Sequence, residues 1–191
     1  MKIKDIFNKD KIFFISDPHF YHNNIIKYTN RPFNNIDDMN KTIVSNWNNK
    51  VPKDGIVFLL GDVALTSKPL DLFGLLSSLN GTIHLIIGNH ERDALKKEYI
   101  RQRWTTISDI LEITVNDNAQ DIIMCHYPML TWNCSHRGSW QLFGHVHGNL
   151  NKNGEMNHNP NQLDVGVDLH NFTPLSYNEI KTIINKQNGR I

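Results

Sequence analysis

The sequence predicts a layered α/β domain, and three features of the chain carry that reading. Short apolar runs of strand length alternate with helical patterns through roughly the first hundred residues, strand signals cluster after that, and neither an internal repeat nor a linker divides the chain. At 191 residues the chain fits a single domain, residues 1–191, with room for a long functional loop and none for a second full domain.

Taken in order, Ile12-Phe13-Phe14-Ile15 is an unbroken apolar run that stops at Ser16-Asp17, the pattern of a strand buried on both faces. Ile36, Met39, Ile43 and Trp47 recur at three- and four-residue spacing, which predicts an amphipathic helix over 36–49. Asn35 is placed to cap it, with Asp37 and Asp38 in its first turn. A second buried strand over 56–60 ends at Gly61-Asp62, a helix covers 69–79, and a third strand over 82–87 ends at Gly88-Asn89-His90. The charged stretch 91–103 reads as an exposed helix. Strands follow at 110–115 and 122–125, with a turn over 116–120 between them, and then at 141–143 and 163–168. The polar stretch 149–161 reads as a loop or hairpin tip. Ser176-Tyr177-Asn178-Glu179 is a capping box ahead of Ile180, Ile183 and Ile184, so a helix closes the sequence.

Composition removes several classes of function. A chain with 39% hydrophobic and 20% charged residues is not wholly disordered. Lys+Arg at 20 against Asp+Glu at 19 leaves a net charge of +1, without the basic excess of a protein that coats nucleic acid. The apolar runs fall far short of the roughly 18–20 residues of a membrane span, and Met1-Lys2-Ile3-Lys4-Asp5 opens no signal-peptide core. Two cysteines, Cys125 and Cys134, lack CxxC spacing, so no disulfide framework is expected and a reducing cytoplasm is the expected location.

The chemistry lies in five segments, each just past a predicted strand. They are Asp17-Pro18-His19, Gly61-Asp62, Gly88-Asn89-His90-Glu91, His126-Tyr127-Pro128 and Gly144-His145-Val146-His147. Loops at the carboxyl ends of α/β strands converge on one rim, which is where ligands collect. Asp-x-His and His-x-His on an extended turn aim two side chains at one cavity, and a carboxylate such as Asp62 can bridge two cations. Glycines at 61, 88 and 144 allow the backbone to turn sharply behind each ligand. The mixed nitrogen and oxygen set suits manganese, iron, zinc or nickel, with no thiolate to demand zinc. Two such cations clamp the attacking and leaving oxygens of a phosphoryl transfer. Singly each segment is ordinary, since Gly61-Asp62 alone is a turn and His126 alone a hydrogen-bonded histidine. Five in this order are not.

The order D-x-H, G-D, G-N-H-E, H, G-H-x-H, running from Asp17 to His147, resembles the calcineurin-like metallophosphoesterase superfamily. The resemblance implies a four-layer αββα sandwich of two packed mixed β-sheets flanked by helices, with two divalent metal ions at the strand ends. Manganese is the first expectation, with iron, zinc, nickel or magnesium as alternatives. It further implies that Asp17, His19, Asp62 and His147 hold one metal, that Asp62 bridges, and that Asn89, His126 and His145 hold the other. Asn89 then also meets the substrate. Asp62 and His90 form the catalytic pair, His90 facing the leaving group while a hydroxide bridging the metals attacks phosphorus. Asp17-Pro18-His19-Phe20-Tyr21-His22-Asn23-Asn24-Ile25-Ile26, followed by Arg31-Pro32-Phe33, resembles a small single-domain bacterial and phage subfamily. Its members usually carry Gly where Tyr21 stands, so the turn before His22 is expected to differ. His22 and Arg31 are candidate phosphate contacts.

Departures from the superfamily's other branches narrow the reading. The protein phosphatases and dinucleotide tetraphosphatases share Glu91 but carry Asp-Arg-Gly shortly after Gly-Asp, where this chain continues Val63-Ala64-Leu65-Thr66. The superfamily's repair nucleases are longer and carry a capping domain. Between His126 and His145, Trp132 and Trp140 beside Arg137 form a candidate lip for a nucleobase, which gives a small nucleotide-like phosphoester as the expected substrate. The bland alternative is that the tryptophans pack on the body. His84 reads as structural, Lys96, Lys97, Arg101 and Arg103 as a solvated helix face, and Asp168-Leu169-His170 as structural despite its D-x-H spacing. The expectation is a metal-dependent phosphoester hydrolase that engages no membrane. The alternatives are a nuclease acting on DNA or RNA ends, or a non-catalytic module that uses metals to hold a phosphorylated partner. The oligomeric state is not fixed by the sequence.

Overall fold

The apolar run Ile12–Ile15 is buried at every residue, and its two faces enter different cores. Phe14 joins Phe58 and Ile86 against Leu111, Ile113, Met124 and Leu142 of a second sheet. Phe13 and Ile15 join Val57, Leu59 and Leu85 beneath a helical layer that contributes Met39, Ile43, Trp47, Leu72 and Leu76. A strand clothed on both sides needs an apolar residue at every position, which is why these runs do not alternate.

The computed structural model describes residues 1–150 and 159–190. In chain order its elements are β1 (Lys2–Phe7), β2 (Ile12–Ile15), α1 (Ile25–Tyr28), α2 (Ile36–Lys50), β3 (Ile56–Leu59), α3 (Pro69–Ser78), β4 (Thr82–Ile86), α4 (Glu98–Arg101), β5 (Thr106–Ser108), β6 (Ile110–Val115), β7 (Gln120–Cys125), β8 (Trp140–Phe143), β9 (Gln162–Asp164), β10 (Leu175–Ser176) and α5 (Tyr177–Gln187). One sheet runs β10-β2-β3-β4-β5 and the other β1-β6-β7-β8-β9. The first is parallel except at β10. In the second, β6 and β7 form the one antiparallel hairpin. These two mixed sheets with flanking helices are the architecture the resemblance implied. Helix α5 sends Tyr177, Ile180 and Ile184 into the core between the sheets.

The capping signals act as expected. The Asn35 side chain accepts from the Asp38 N–H, and Ser176 and Glu179 form a reciprocal capping box. Three stretches depart from the sequence reading. Residues 91–103 are not one helix but a 3₁₀ turn (Ala94–Lys96) and the four-residue α4. The buried anchors Leu95 and Ile100 are five residues apart, which breaks helical phase, and Lys97 between the two turns is extended. Lys96, Lys97 and Arg101 are solvated as expected, whereas Arg103 donates to the Leu76 and Leu79 carbonyls at the end of α3. Residues 163–168 do not continue as a strand. The chain leaves β9 at Asp164, bridges Ser16 through Gly166, and turns at Val167–Leu169. The edge strand β1, with Ile6 exposed and charged residues between its apolar ones, carries too little hydrophobicity to be legible. The loop expected at 149–161 lies largely outside the described residues.

The connection from β7 to β8 corrects the expected substrate lip. These strands are parallel, so a chain leaving β7 at Cys125 must travel back to the opposite end of the sheet before entering β8. The Gln120 side chain, at the far start of β7, donates to the Gly138 carbonyl, which places Arg137 and Gly138 about 17 Å from the Cys125 end by strand rise. On the way the connection crosses the outer face of the sheet. There the buried Gln141 and Gln162 donate to the Tyr127 and Met129 carbonyls, and Asn133 donates to Glu112. Trp132 is buried, with its indole N–H shared between the Ser139 carbonyl and hydroxyl at 3.1 Å each. Trp140 is buried against Tyr177, ring centroids 5.3 Å apart. Neither tryptophan offers a face to a ligand, and Arg137 is exposed at the wrong end of the sheet. The packing alternative holds.

Trp132→Ala is therefore a stability lesion. Removing a buried indole and its hydrogen bonds should cost about 3 kcal/mol, lowering Tm by about 6–12 °C in a domain of this size. Thermal melting checks it, and a Tm within a degree or two of the parent would contradict the packing role.

Candidate metal centre

The carboxyl ends of β2, β3, β4, β7 and β8 meet at one rim, and backbone contacts bring them there. The Asp17 N–H donates to the Gly61 carbonyl at 3.1 Å, His19 N–H to Asp62 at 3.0 Å, and Gly144 N–H to His126 at 2.9 Å. There is no room for side chains at these crossings. A Cβ on Gly144 would stand 2.0 Å from Ser16 Oγ and 2.2 Å from Asp17 Oδ2. One on Gly61 would meet the Gly88 backbone at 2.6 Å, and Gly61 also turns at φ +84. Around these glycines, Asp17, His19, Asp62, His145 and His147 all adopt left-handed backbone, φ between 48 and 70. Each such residue costs on the order of 1 kcal/mol and persists only where its surroundings fix it. Here the His145 N–H is held by Asp17 Oδ2 at 2.9 Å, and the buried Glu91 accepts from the Val63 and Gly88 N–H groups. Tyr21, where the subfamily usually carries Gly, is left-handed as well, at φ 62. The glycine-type turn is kept, and its strain with it.

The side chains so placed form three overlapping groups: Asp17, His19 and His147; His19, Asp62 and His90; Asp62, His126 and His145. Asp62 stands between two of the imidazoles, its Oδ2 3.6 Å from His19 Nε2 and its Oδ1 3.5 Å from His126 Nε2. Asp62 Oδ1 also accepts from the backbone N–H groups of Asn89 and His90. The Asn89 side-chain oxygen lies 3.2 Å from both His126 Nε2 and His145 Nδ1. His90 Nε2 is 3.8 Å from Asp62 Oδ2, and the His22 ring approaches both His19 and His90. Every residue assigned to metal by the resemblance, together with His90 and His22, is thus brought to one place.

Arg31 is the exception among the predicted site residues and needs correcting. Its side chain is fully buried, and its donors are taken by Asp168, Pro18 O and Asp17 O, with Met39 Sδ beside them. It has no donor left for a phosphate. It supports the Asp17–His19 turn from beneath. Its partner Asp168, which reads as structural in the sequence, also accepts from His147 Nδ1 at 2.7 Å. Only its D-x-H spacing after a strand could have marked it. His84 is structural as expected, with Nδ1 against the Thr106 hydroxyl at 2.9 Å.

The donors fit cations. Asp17 Oδ1 and His19 Nε2 are buried without a hydrogen-bond partner, an arrangement that costs about 1–3 kcal/mol per group unless something charged sits between them. A divalent cation coordinated by carboxylate and imidazole satisfies both. Burial raises the Asp17 pKa to about 6 against the pull of His126 and His147. Burial drives His19 down to about 2, leaving its nitrogen free to ligate. Burial alone would raise Asp62, but His126 and the other imidazoles outweigh it and bring Asp62 to about 2. For His126 burial favours the neutral ring, yet Asp62, with Asp17 behind it, outweighs burial and lifts its pKa to about 9.

The chain matches the family model for calcineurin-like phosphoesterases over residues 10–149. It is 36% identical over 178 residues to an uncharacterised protein of the archaeon Methanocaldococcus jannaschii, covering 92% of each chain. It is 26% identical over 164 residues to the Gene 66 protein of Mycobacterium phage D29, covering 73% of this chain and 79% of that one. The crystal structure of a protein of unknown function from Aquifex aeolicus superposes with a TM-score of 0.68 at 22% identity, covering 90% of this chain and 98% of that one, and shares the fold. Among the described residues no helix is long and apolar enough to cross a membrane.

The raised His126 pKa sets a pH dependence for cation uptake. Below about pH 9 a proton occupies the nitrogen that a cation needs, and below about pH 6 Asp17 is protonated too. Apparent affinity for a divalent cation should therefore rise from about pH 6 to about pH 9, with protons released as cations bind near neutrality. Calorimetry in buffers of different ionisation enthalpy measures this, and uptake without proton release would contradict it.

Proposed function

As the chain belongs to the calcineurin-like phosphoesterase family and is a hydrolase of phosphoester bonds, we propose that it works with two divalent cations on a small, exposed phosphoester. The observation that carries this reading is the position of Asp62, with one carboxylate oxygen toward His19 and the other toward His126. Asp17, His19, Asp62 and His147 would hold one cation, and Asp62, Asn89, His126 and His145 the other, with manganese the first choice for this nitrogen and oxygen set. Bound there, the pair would draw a nucleophile from water near neutral pH and neutralise the phosphate oxygens as charge develops.

The remaining work falls to side chains. As the bond from phosphorus to the leaving oxygen breaks, that oxygen needs a proton, and His90 Nε2 stands partly exposed beside Asp62 to give it. His22 holds its Nδ1 3.3 Å from His19 Nδ1, which leaves Nε2 to meet a phosphate oxygen or the leaving group. With Trp132 buried, the flat surfaces beside the centre are Tyr127, 44% exposed with its ring 4.7 Å from that of His145, and Tyr28, 71% exposed with its ring 6.2 Å from that of His22. These support a nucleotide-like or other aromatic phosphoester. The near-neutral charge favours such a substrate over a polynucleotide. The free thiols of Cys125 and Cys134 fit a cytoplasmic location.

Asp62→Asn tests the shared carboxylate. It should weaken the binding of both cations and abolish turnover of an aryl phosphoester, measured by metal analysis after dialysis and by initial rates. A variant that kept two cations and full turnover would sink the dinuclear reading. His90→Ala separates binding from chemistry. Both cations should stay while the rate falls about 10²–10⁴-fold on an alkyl ester, with a much smaller fall on a nitrophenyl ester, whose leaving group needs no proton. Equal losses on both esters would remove His90 from the role of proton donor.

A further inference from the structure

We infer that Asp168 is a positioning residue for one of the two metal positions, acting through His147, and that its ion pair with Arg31 braces the side of the centre that His147 supplies. This rests on the dinuclear reading above. Asp168 Oδ2 accepts from His147 Nδ1 at 2.7 Å and from Arg31 Nη2 at 2.9 Å. Asp168 Oδ1 accepts from Arg31 Nε at 2.8 Å and from the Thr29 hydroxyl at 3.1 Å. The same guanidinium donates to the Pro18 carbonyl at 3.0 Å and the Asp17 carbonyl at 2.9 Å. One buried cation therefore grips the backbone of the Asp17–His19 turn and the carboxylate beneath His147.

A carboxylate beside Nδ1 keeps the imidazole proton on that nitrogen and presents the Nε2 lone pair. His147 Nε2 points back to the cluster, 4.0 Å from Asp17 Oδ1. The other position is oriented by different means. His126 Nδ1 donates to the Leu60 carbonyl at 2.6 Å, and Asp62 is steadied by the backbone N–H groups of Asn89 and His90. The two positions are joined at the Asp17–His19 turn, where Asp17 Oδ2 accepts from the His145 N–H and the His19 N–H donates to the Asp62 carbonyl, and no bond of Asp168 reaches those groups. Loss of the Asp168 carboxylate should unsettle one position and leave the second intact.

Asp168→Asn puts an amide N–H either toward Arg31 Nε or toward His147 Nδ1, donor against donor in both cases. The second orientation drives the imidazole proton to Nε2 and removes a ligand. The test titrates Mn²⁺ alone into metal-free full-length protein by calorimetry, with a thermal melt of each sample. The parent should take up two cations. Asp168→Asn should keep one with unchanged affinity and bind the other about 10- to 100-fold more weakly. If that variant does not fold, the double variant Arg31→Gln with Asp168→Asn, which removes both buried charges, takes its place. Equal weakening at both positions would mark a general loosening and overturn the inference, as would unchanged binding at both. Failure of both variants to fold would assign the pair to the fold alone and also overturn it. A parent that binds a single cation would instead bring down the dinuclear reading, and this inference with it.

Discussion

Strand ends crowd together at three glycines, Gly61 and Gly88 against each other within one sheet and Gly144 of the other sheet against Ser16 and Asp17, and the rest of the molecule is arranged around that approach. A methyl group at any of the three would sit under 3 Å from a neighbouring strand end. With the sheets packed this closely, loops from β2, β3 and β4 in one sheet and from β7 and β8 in the other can aim side chains into a single small volume. The cost is backbone strain in the turns that follow, borne by left-handed Asp17, His19, Asp62, His145 and His147. The two apolar cores above and below the β10-β2-β3-β4-β5 sheet supply the rigidity that keeps those turns from relaxing.

The electrostatics follow from the same geometry. Two carboxylates and several imidazoles share one rim, with Asp17, His19 and Asp62 nearly buried at its base and His90 and His145 open to solvent. The groups answer by shifting protons among themselves: His19 is held neutral, His126 charged, and Asp62 ionised. Such an assembly is costly alone and favourable around cations, so strain and desolvation in the chain are balanced by a ligand the donors are built to receive. Arg31 and Asp168 extend this balance one layer outward, tying two of the donor turns through a buried ion pair.

How much of this was legible depended on how local each signal is. The donors were readable because each sits in a short motif at the end of an apolar strand, and strand ends in α/β sheets converge by topology. The helix 36–49 was readable from Ile36, Met39, Ile43 and Trp47 because the packing that buries them follows helical period. Arg31 was misread because its partner lies 137 residues away, and nothing local separates a buried arginine from a phosphate-binding one. Trp132 was misread because proximity to His126 in sequence stood in for proximity in space. A parallel partner strand forces the chain to the far end of the sheet, and that pairing is not written near the tryptophan. The 91–103 segment has the charge pattern of an exposed helix, while its structure is set by the five-residue step from buried Leu95 to buried Ile100, which breaks helical phase at the extended Lys97.

On the proposed reading, Asp62 stands between two cations rather than beside one. Anomalous diffraction from crystals soaked in Mn²⁺ tests it directly. Two peaks are expected, one flanked by Asp17, His19 and His147 and the other by Asn89, His126 and His145, with Asp62 in contact with both. A single peak, or a pair that Asp62 does not touch, would contradict it.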